Sequence, residues 1–368
     1  MSSRRTGAAV TLTAALVALC ASAAGAQQTG AQYLRVSFVD VGQGDAIWIQ
    51  GPQQDDGKPG GTMVIDGGPN RGDKNRLLKY LQTPKYGVPA GSAIDCMIAS
   101  HPHDDHYPGL MDVLEKFQVR QIIDTGFPKE GEKYAAFRKV AMAERADGKK
   151  SRFVEMRKQT SFQPMCGNLA PRILQSDRAN ATAMGSDSTR ENNASTVVQL
   201  KFGGFTFLFM GDGEGKDRGD PPDTPKYIER ALLDEERQHP GTLHANVLKA
   251  AHHGSETSST LPFIRAVKPD IIVIMSGRKD FGTSSKSVFL PDKSVIARYQ
   301  KENPKVVVLR TDEGDEQAGL DTTDDADGDD IYMYTDGSSL RAYAAVGPSN
   351  PRLWKLMKKL SAPSGEVP

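Results

Sequence analysis

Within the stretch SHPHDDHYPGL, residues 100–110, His101, His103, Asp105 and His106 fall inside six positions. Three of the chain's seven histidines lie there, a concentration that cation binding explains and an ordinary polar loop does not. Imidazole and carboxylate without thiolate suit Zn²⁺, Mn²⁺ or iron, in a site that keeps a position open for water rather than in a closed structural zinc site. Hydrolysis is the chemistry such a site serves. Alternate residues of an extended segment project the same way. His101 and His103 can therefore share one cation, while Asp105 and His106, past the bend, face a second.

Two later stretches carry the same kinds of group. The apolar run 205–210 ends in Gly211-Asp212-Gly213. Beside the first cluster Asp212 is predicted to bridge, because the two oxygens of one carboxylate can hold two cations ~3.5–4 Å apart; on its own it reads as a turn aspartate. Residues 246–250 then deliver His252-His253-Gly254-Ser255. Ser255 can donate a hydrogen bond to a phosphate, or cap a segment that begins near Ser259. Glu214 reads as solvated, and His239 and His244 as surface residues.

The elements that must hold these groups follow from hydrophobic periodicity and turn residues. Strands are predicted over 33–39, 46–49, 62–65, 93–99, 119–123, 152–156, 172–175, 196–200, 205–210, 246–250, 270–275 and 305–309, with a closing hairpin of 331–334 and 339–344. Helices are predicted over 73–81 with Asp73 as cap, 110–117, 130–146, 227–237 and 293–301, with a basic helical tail over 353–360. The polar span 176–194 reads as a loop over the site. In this plan the first cluster occupies a strand-to-helix loop, and Asp66-Gly67-Gly68 ends another strand.

The motifs FVDVGQGDA, VIDGG, SHPHDDH and LKAAHHGS resemble, in order and spacing, the hydrolase domain of ComEC-type DNA-uptake proteins within the metallo-β-lactamase superfamily. The resemblance spans residues 33–343. It implies an αββα four-layer sandwich of the α/β (α+β) class with metals at one edge. It implies that Asp66 orients a metal-binding histidine, and that Asp45 and Gln43 line the rim; Asp40, Gln43 and Asp45 read equally as hairpin turn chemistry. It implies that one histidine of the HHGS motif joins Asp105, His106 and Asp212 on the second metal while the other faces substrate. His253 is taken as ligand and His252 as the catalytic group, and the reverse assignment fits the spacing too. Most members of the superfamily supply a third histidine to the first metal from mid-chain, yet none lies between His106 and His239 here. The first site is thus short of a ligand and one of the two is weak. The segment around Asn193 resembles one that faces metal or substrate in such domains, and reads equally as a plain turn.

Residues 1–26 carry Arg4 and Arg5, an apolar stretch over 8–24 and Ala24-Gly25-Ala26, the pattern of a cleaved signal peptide. Export to the periplasm or outside is expected, with lipoprotein anchoring through Cys20 as the lesser reading and no integral membrane segment once the signal is removed. A hydrolase domain over 27–345 and a tail over 346–368 complete the plan. Cleavage removes two of 46 Lys+Arg and none of 46 Asp+Glu, leaving 44 − 46 = −2. That balance disfavours stable duplex DNA binding and leaves a small phosphoester or single-stranded nucleic acid as substrate. Cys96, inside the strand that leads to the metal loop, reads as a buried small hydrophobe, with a Cys96–Cys166 disulfide the alternative. The acidic loop over 321–330 reads as solvated, with calcium binding the alternative.

The expected cofactors are two divalent metal ions, zinc first and manganese as the alternative. The expected activity is metal-assisted phosphodiester hydrolysis with Asp212, His252 and Asp105 as catalytic groups. The competing readings are a lactam, lactone or amide hydrolase on the same fold, and a metal-binding module without turnover.

Overall fold

A computed structural model describes residues 32–84, 86–156, 163–175, 186–277, 289–313, 329–346 and 353–362. The segment read as a signal peptide, Cys20 and most of the acidic loop lie outside them. No described helix is long and apolar enough to cross a membrane.

The first half runs β1 (Leu34–Phe38), β2 (Ile47–Gln50), β3 (Thr62–Ile65), α1 (Arg76–Leu81), β4 (Ile94–Ala99), α2 (Pro108–Lys116), β5 (Val119–Asp124), α3 (Glu132–Ala143), β6 (Arg145–Ala146), β7 (Lys149–Lys150) and β8 (Arg152–Glu155). The second half runs β9 (Arg172–Gln175), α4 (Asp187–Asn193), β10 (Val197–Phe202), β11 (Phe205–Phe209), α5 (Tyr227–Gln238), β12 (Val247–Lys249), α6 (Leu261–Val267), β13 (Ile271–Ile274), α7 (Lys293–Glu302) and β14 (Val307–Arg310). The closing strands are β15 (Ile331–Thr335), β16 (Ser339–Val346) and β17 (Leu353–Ser361).

Two sheets result, ordered β17-β16-β15-β1-β2-β3-β4-β5-β8 and β14-β13-β12-β11-β10-β9. Strands β3, β4, β5 and β8 pair in parallel, as do β11 to β14. Parallel strands covered on both faces read as continuous apolar runs, and the pleat divides those runs between two cores. In β11, Phe207 and Phe209 pack between the sheets with Phe38, Ile98 and Val273. Leu208 points the other way, onto the layer of α5 to α7 with Leu232, Phe263 and Val295. Across the first sheet, Trp48, Val64 and Met97 pack against Leu77, Leu110 and Phe137. The layers are therefore helix, sheet, sheet, helix: the αββα sandwich.

Four local expectations change. The tail is strand β17, not a helix: it pairs antiparallel with β16, Leu360 turns towards the inter-sheet core and Lys359 outward. Residues 187–193 of the presumed loop form α4, whose Ser186 side chain accepts from Thr189 N. The helix after β3 is capped by Asn75, which accepts from Leu78 N at 2.9 Å, rather than by Asp73. The long charged helix stops at Ala143, and Asp147-Gly148 turns β6 into β7, a turn signal that the run of charges masked. Cys96 and Cys166 are buried free cysteines.

Candidate metal centre

The groups singled out in the sequence leave the ends of β3, β4, β11 and β12, whose neighbouring strands run parallel and so release their loops at one edge. At the first, Asp66 has a left-handed φ of +58°. A side chain at Gly67 would meet the backbone of Leu110 at 2.4 Å, so the DGG turn lets α2 close over the loop. Asp66 accepts from Ser100 N at 2.7 Å and Ser100 Oγ at 2.6 Å, and its other contact is His106 Nδ1 at 2.9 Å.

Two groups of donors meet beyond it. Asp105, His106, Asp212 and His253 offer ligand atoms all within 4.8 Å of one another, and so do His101, His103 and Asp212. Asp212 belongs to both. Its Oδ2 lies 3.2 Å from His253 Nε2, 3.3 Å from His106 Nε2 and 3.8 Å from His101 Nε2. His253 Nε2 is also 3.2 Å from Asp105 Oδ2, and His106 Nε2 3.7 Å from Asp105 Oδ1. A tetrahedral cation with bonds of ~2.0–2.2 Å sets neighbouring ligand atoms ~3.4 Å apart. The donors thus already stand near the spacing a divalent cation requires.

The far ring nitrogens strengthen that fit. Nδ1 of His101 meets Ser100 Oγ at 3.0 Å, that of His106 meets Asp66, and that of His253 meets the Met275 carbonyl at 2.7 Å. The Nε2 atoms of all three are buried without a hydrogen-bond partner. Such orphans are costly unless something binds them. These residues therefore suit divalent metal.

Charge is concentrated here. Burial lowers the His106 and His253 rings, but the surrounding aspartates outweigh it; His106 is raised well above the ordinary imidazole range and His253 up to about 10. Burial pushes Asp212 up, yet His253, His106 and His101 hold it well below its usual value. His101 is lowered by burial and by His106.

His253, not His252, enters the second group. His252 faces a cavity of about 300 Å³ whose walls include Gln43, His103, Asp105, Asp212 and Ser255. Its Nδ1 meets Thr257 Oγ1 at 3.0 Å, its Nε2 lies 3.4 Å from Asn192 Nδ2, and burial lowers it to about 4, so the ring is neutral.

Other expectations need correction. Asp45 is no rim residue: it is buried, 3.5 Å from His253 Nδ1 and 3.9 Å from His106 Nδ1, and paired with Lys249. Asn193 faces neither group. Its Oδ1 accepts from Glu214 N at 3.1 Å and Ile228 N at 3.3 Å, and its Nδ2 donates to Thr189 O. Glu214 is buried rather than solvated, 3.4 Å from His252 Nδ1, and burial pushes it up to about 7. Ser255 does not cap the helix that follows, whose N-cap is Thr260; its hydroxyl receives Arg218 Nη2 at 3.3 Å beside the cavity. Asp40 serves its turn, accepting from Gly42 N at 2.9 Å. His239 and His244 are exposed.

Three neighbours escaped the sequence reading. Glu191 Oε2 lies 2.7 Å from His103 Nε2 and is held by Lys129 Nζ at 3.1 Å. Asn192 donates to Glu214 Oε1 at 2.8 Å. Lys249 is wholly buried. The run ENN gave one available hint for the first two, as a polar stretch abutting a strand.

Comparison with known proteins agrees with this geometry. Residues 39–155 match the model of the metallo-beta-lactamase superfamily. The chain is 24% identical to ComE operon protein 3 of Bacillus subtilis over 289 residues, 76% of this chain and 32% of that protein. It is 26% identical to Recombination protein 2 of Haemophilus influenzae over 248 residues, 66% of this chain and 24% of that protein. The chain thus spans about a third or less of the curated relatives it matches. Among solved structures, an archaeal metallo-beta-lactamase superfamily protein from Sulfolobus tokodaii is 14% identical, with 73% of this chain and 96% of that one covered at a TM-score of 0.33. The four-layer sandwich, the donor groups at its edge and the family match over β2–β8 agree: the chain has the metallo-beta-lactamase fold, and residues 39–155 are similar to a superfamily whose members are metal-dependent hydrolases.

Proposed function

We propose that this chain is an exported phosphodiesterase that acts on a small phosphoester or a single-stranded nucleic acid with two divalent cations, zinc or manganese. The observation that carries the proposal is the sharing of Asp212 by two donor groups at the wall of an open cavity. His101, His103 and Asp212 would hold one cation, and Asp105, His106, Asp212 and His253 the other. When bound, the cations supply Lewis-acid charge and a more acidic water.

The chain's own residues do the rest. Asp66, Ser100 and the Met275 carbonyl fix the rings through Nδ1, so that each presents Nε2 to the centre. His252 is neutral, and Thr257 holds its Nδ1; its Nε2 is the atom placed to accept or return a proton at the cavity. Ser255 and Gln43, both in the cavity wall, would offer hydrogen bonds to a phosphoryl oxygen. Support for a phosphodiester comes from the likeness to ComE operon protein 3 and to ComEC-type hydrolase domains. The charge of −2 after residue 26 weighs against duplex DNA.

The test is hydrolysis of bis(p-nitrophenyl) phosphate, a single-stranded oligonucleotide and nitrocefin by protein loaded with Zn²⁺ or Mn²⁺. Diester turnover that disappears in His103→Ala is the expected result, and oligonucleotide cleavage would extend it to nucleic acid. Nitrocefin turnover alone would overturn the phosphodiester reading in favour of a lactamase. Sequencing the N-terminus of the secreted protein tests export, with Gln27 expected first.

A further inference from the structure

Four aspartates, Asp45, Asp66, Asp105 and Asp212, are packed around the centre, and three of them are almost wholly buried. Among the described residues, one lysine or arginine takes part in their ion pairs: Lys249, the last residue of β12. It sits between Leu248 and Ala250, both fully buried, where an apolar side chain would serve the core as well. Placing an ammonium there is costly unless it is paired and its donors are used.

Its surroundings show what the charge does. Lys249 Nζ donates to the Gly211 carbonyl at 3.1 Å, pairs with Asp45 Oδ2 and lies 3.8 Å from Asp212 Oδ1. Gly211, at φ +53°, is the residue that turns β11 into Asp212. The same carbonyl accepts from His252 N at 3.1 Å, so one oxygen ties the Asp212 turn to the HHGS turn, where His252 and His253 are themselves left-handed at φ +49° and +53°. Asp45, the other partner of Lys249, lies 3.5 Å from His253 Nδ1 and 3.9 Å from His106 Nδ1.

We propose that the Lys249 ammonium is a built-in cation of the metal centre, a positioning residue that sets the shared carboxylate of Asp212 against His253 through Gly211 and Asp45. The proposal rests on the reading above that the two donor groups hold divalent cations. Without the ammonium, the Asp212 turn loses one of two donors to its carbonyl and buried Asp45 loses its lysine partner. The second group then loses its spacing although none of its ligands has changed.

The experiment compares wild type, Lys249→Met and Lys249→Met/Asp45→Asn. Co²⁺ is titrated in, bound metal is counted after gel filtration, the visible Co²⁺ absorption is recorded, and unfolding is followed in EDTA. The single variant is expected to bind the second cation at least tenfold more weakly, with shifted Co²⁺ bands. The double variant also removes the Asp45 carboxylate and is expected to regain stability but not the Co²⁺ spectrum. It carries the same comparison if Lys249→Met fails to fold. Wild-type affinity and an unchanged Co²⁺ spectrum in a variant that has lost only stability would overturn the proposal, leaving Lys249 a structural residue. Wild-type protein that binds two cations but cleaves no diester would reject the phosphodiesterase reading alone. Wild-type protein that binds no cation would reject both.

Discussion

Replacing Asp66 by Asn should separate metal binding from folding. The carboxylate offers only acceptors: Oδ1 to Ser100 N at 2.7 Å, and Oδ2 to Ser100 Oγ at 2.6 Å and His106 Nδ1 at 2.9 Å. It therefore keeps a proton on His106 Nδ1, and a cation can take Nε2, the atom 3.3 Å from Asp212 Oδ2. In Asp66→Asn the amide oxygen can still accept from Ser100 N, but an NH₂ now faces Nδ1 and favours the tautomer with the proton on Nε2. Loss of such a partner costs a metal site ~10–100-fold in affinity, which is ~1.4–2.7 kcal/mol. The stabilisation gained from bound cation should shrink by the same amount at a fixed cation concentration. In EDTA the Asn variant should lose only ~1–2 kcal/mol, the difference between charge-assisted and neutral hydrogen bonds. Asp66→Ala strands Ser100 N and His106 Nδ1 and should lose ~2–6 kcal/mol there. Thermal unfolding with Zn²⁺ and with EDTA reads both quantities. Equal zinc-induced shifts in Tm for wild type and Asp66→Asn would refute the tautomer argument.

His103→Ala and Asp212→Ala should each lose bound metal and diester turnover while keeping wild-type circular dichroism; full turnover in either would remove that residue from the centre. Metal uptake should release protons, because the metal-free rings of His106 and His253 are raised, the latter to about 10, and so are protonated at neutral pH, whereas a cation takes the neutral ring. Affinity should then rise with pH through the neutral range and level off above about pH 10. Calorimetry in two buffers of different ionisation heat counts the protons, and a count of zero would contradict the shifts. Phe207→Ala, between the sheets with no exposed surface, should cost ~3–5 kcal/mol in urea unfolding, and a loss below ~1 kcal/mol would mean that the inter-sheet core collapses around the gap.

The parts of the centre visible in the sequence are those whose signal is local. The cluster from His101 to His106 stands out by density, and Asp212 by its place at the end of an apolar strand. Lys249 carries no such mark: a lysine before a strand end looks solvated until β11 and β13 close on either side of it. Glu214 failed for the same reason, since its neighbours Asn192, Asn193 and His252 come from distant parts of the chain. Asn193 went wrong differently, because the neighbouring asparagine, one position earlier, is the one beside His252. Strand β17 was obscured by its lysines, which on an outermost strand lie on the solvent side and mimic a charged helix face.

The shared carboxylate has a consequence for how the protein matures. His101 and His106 leave a strand of the nine-stranded sheet, while Asp212 and His253 leave strands of the six-stranded one. Neither half can assemble the second donor group by itself, and more than a hundred residues separate its two sides in the chain. Contacts of such long range form late in folding. Cation uptake would thereby report sheet docking, and a bound cation would act as a clasp between the two sheets.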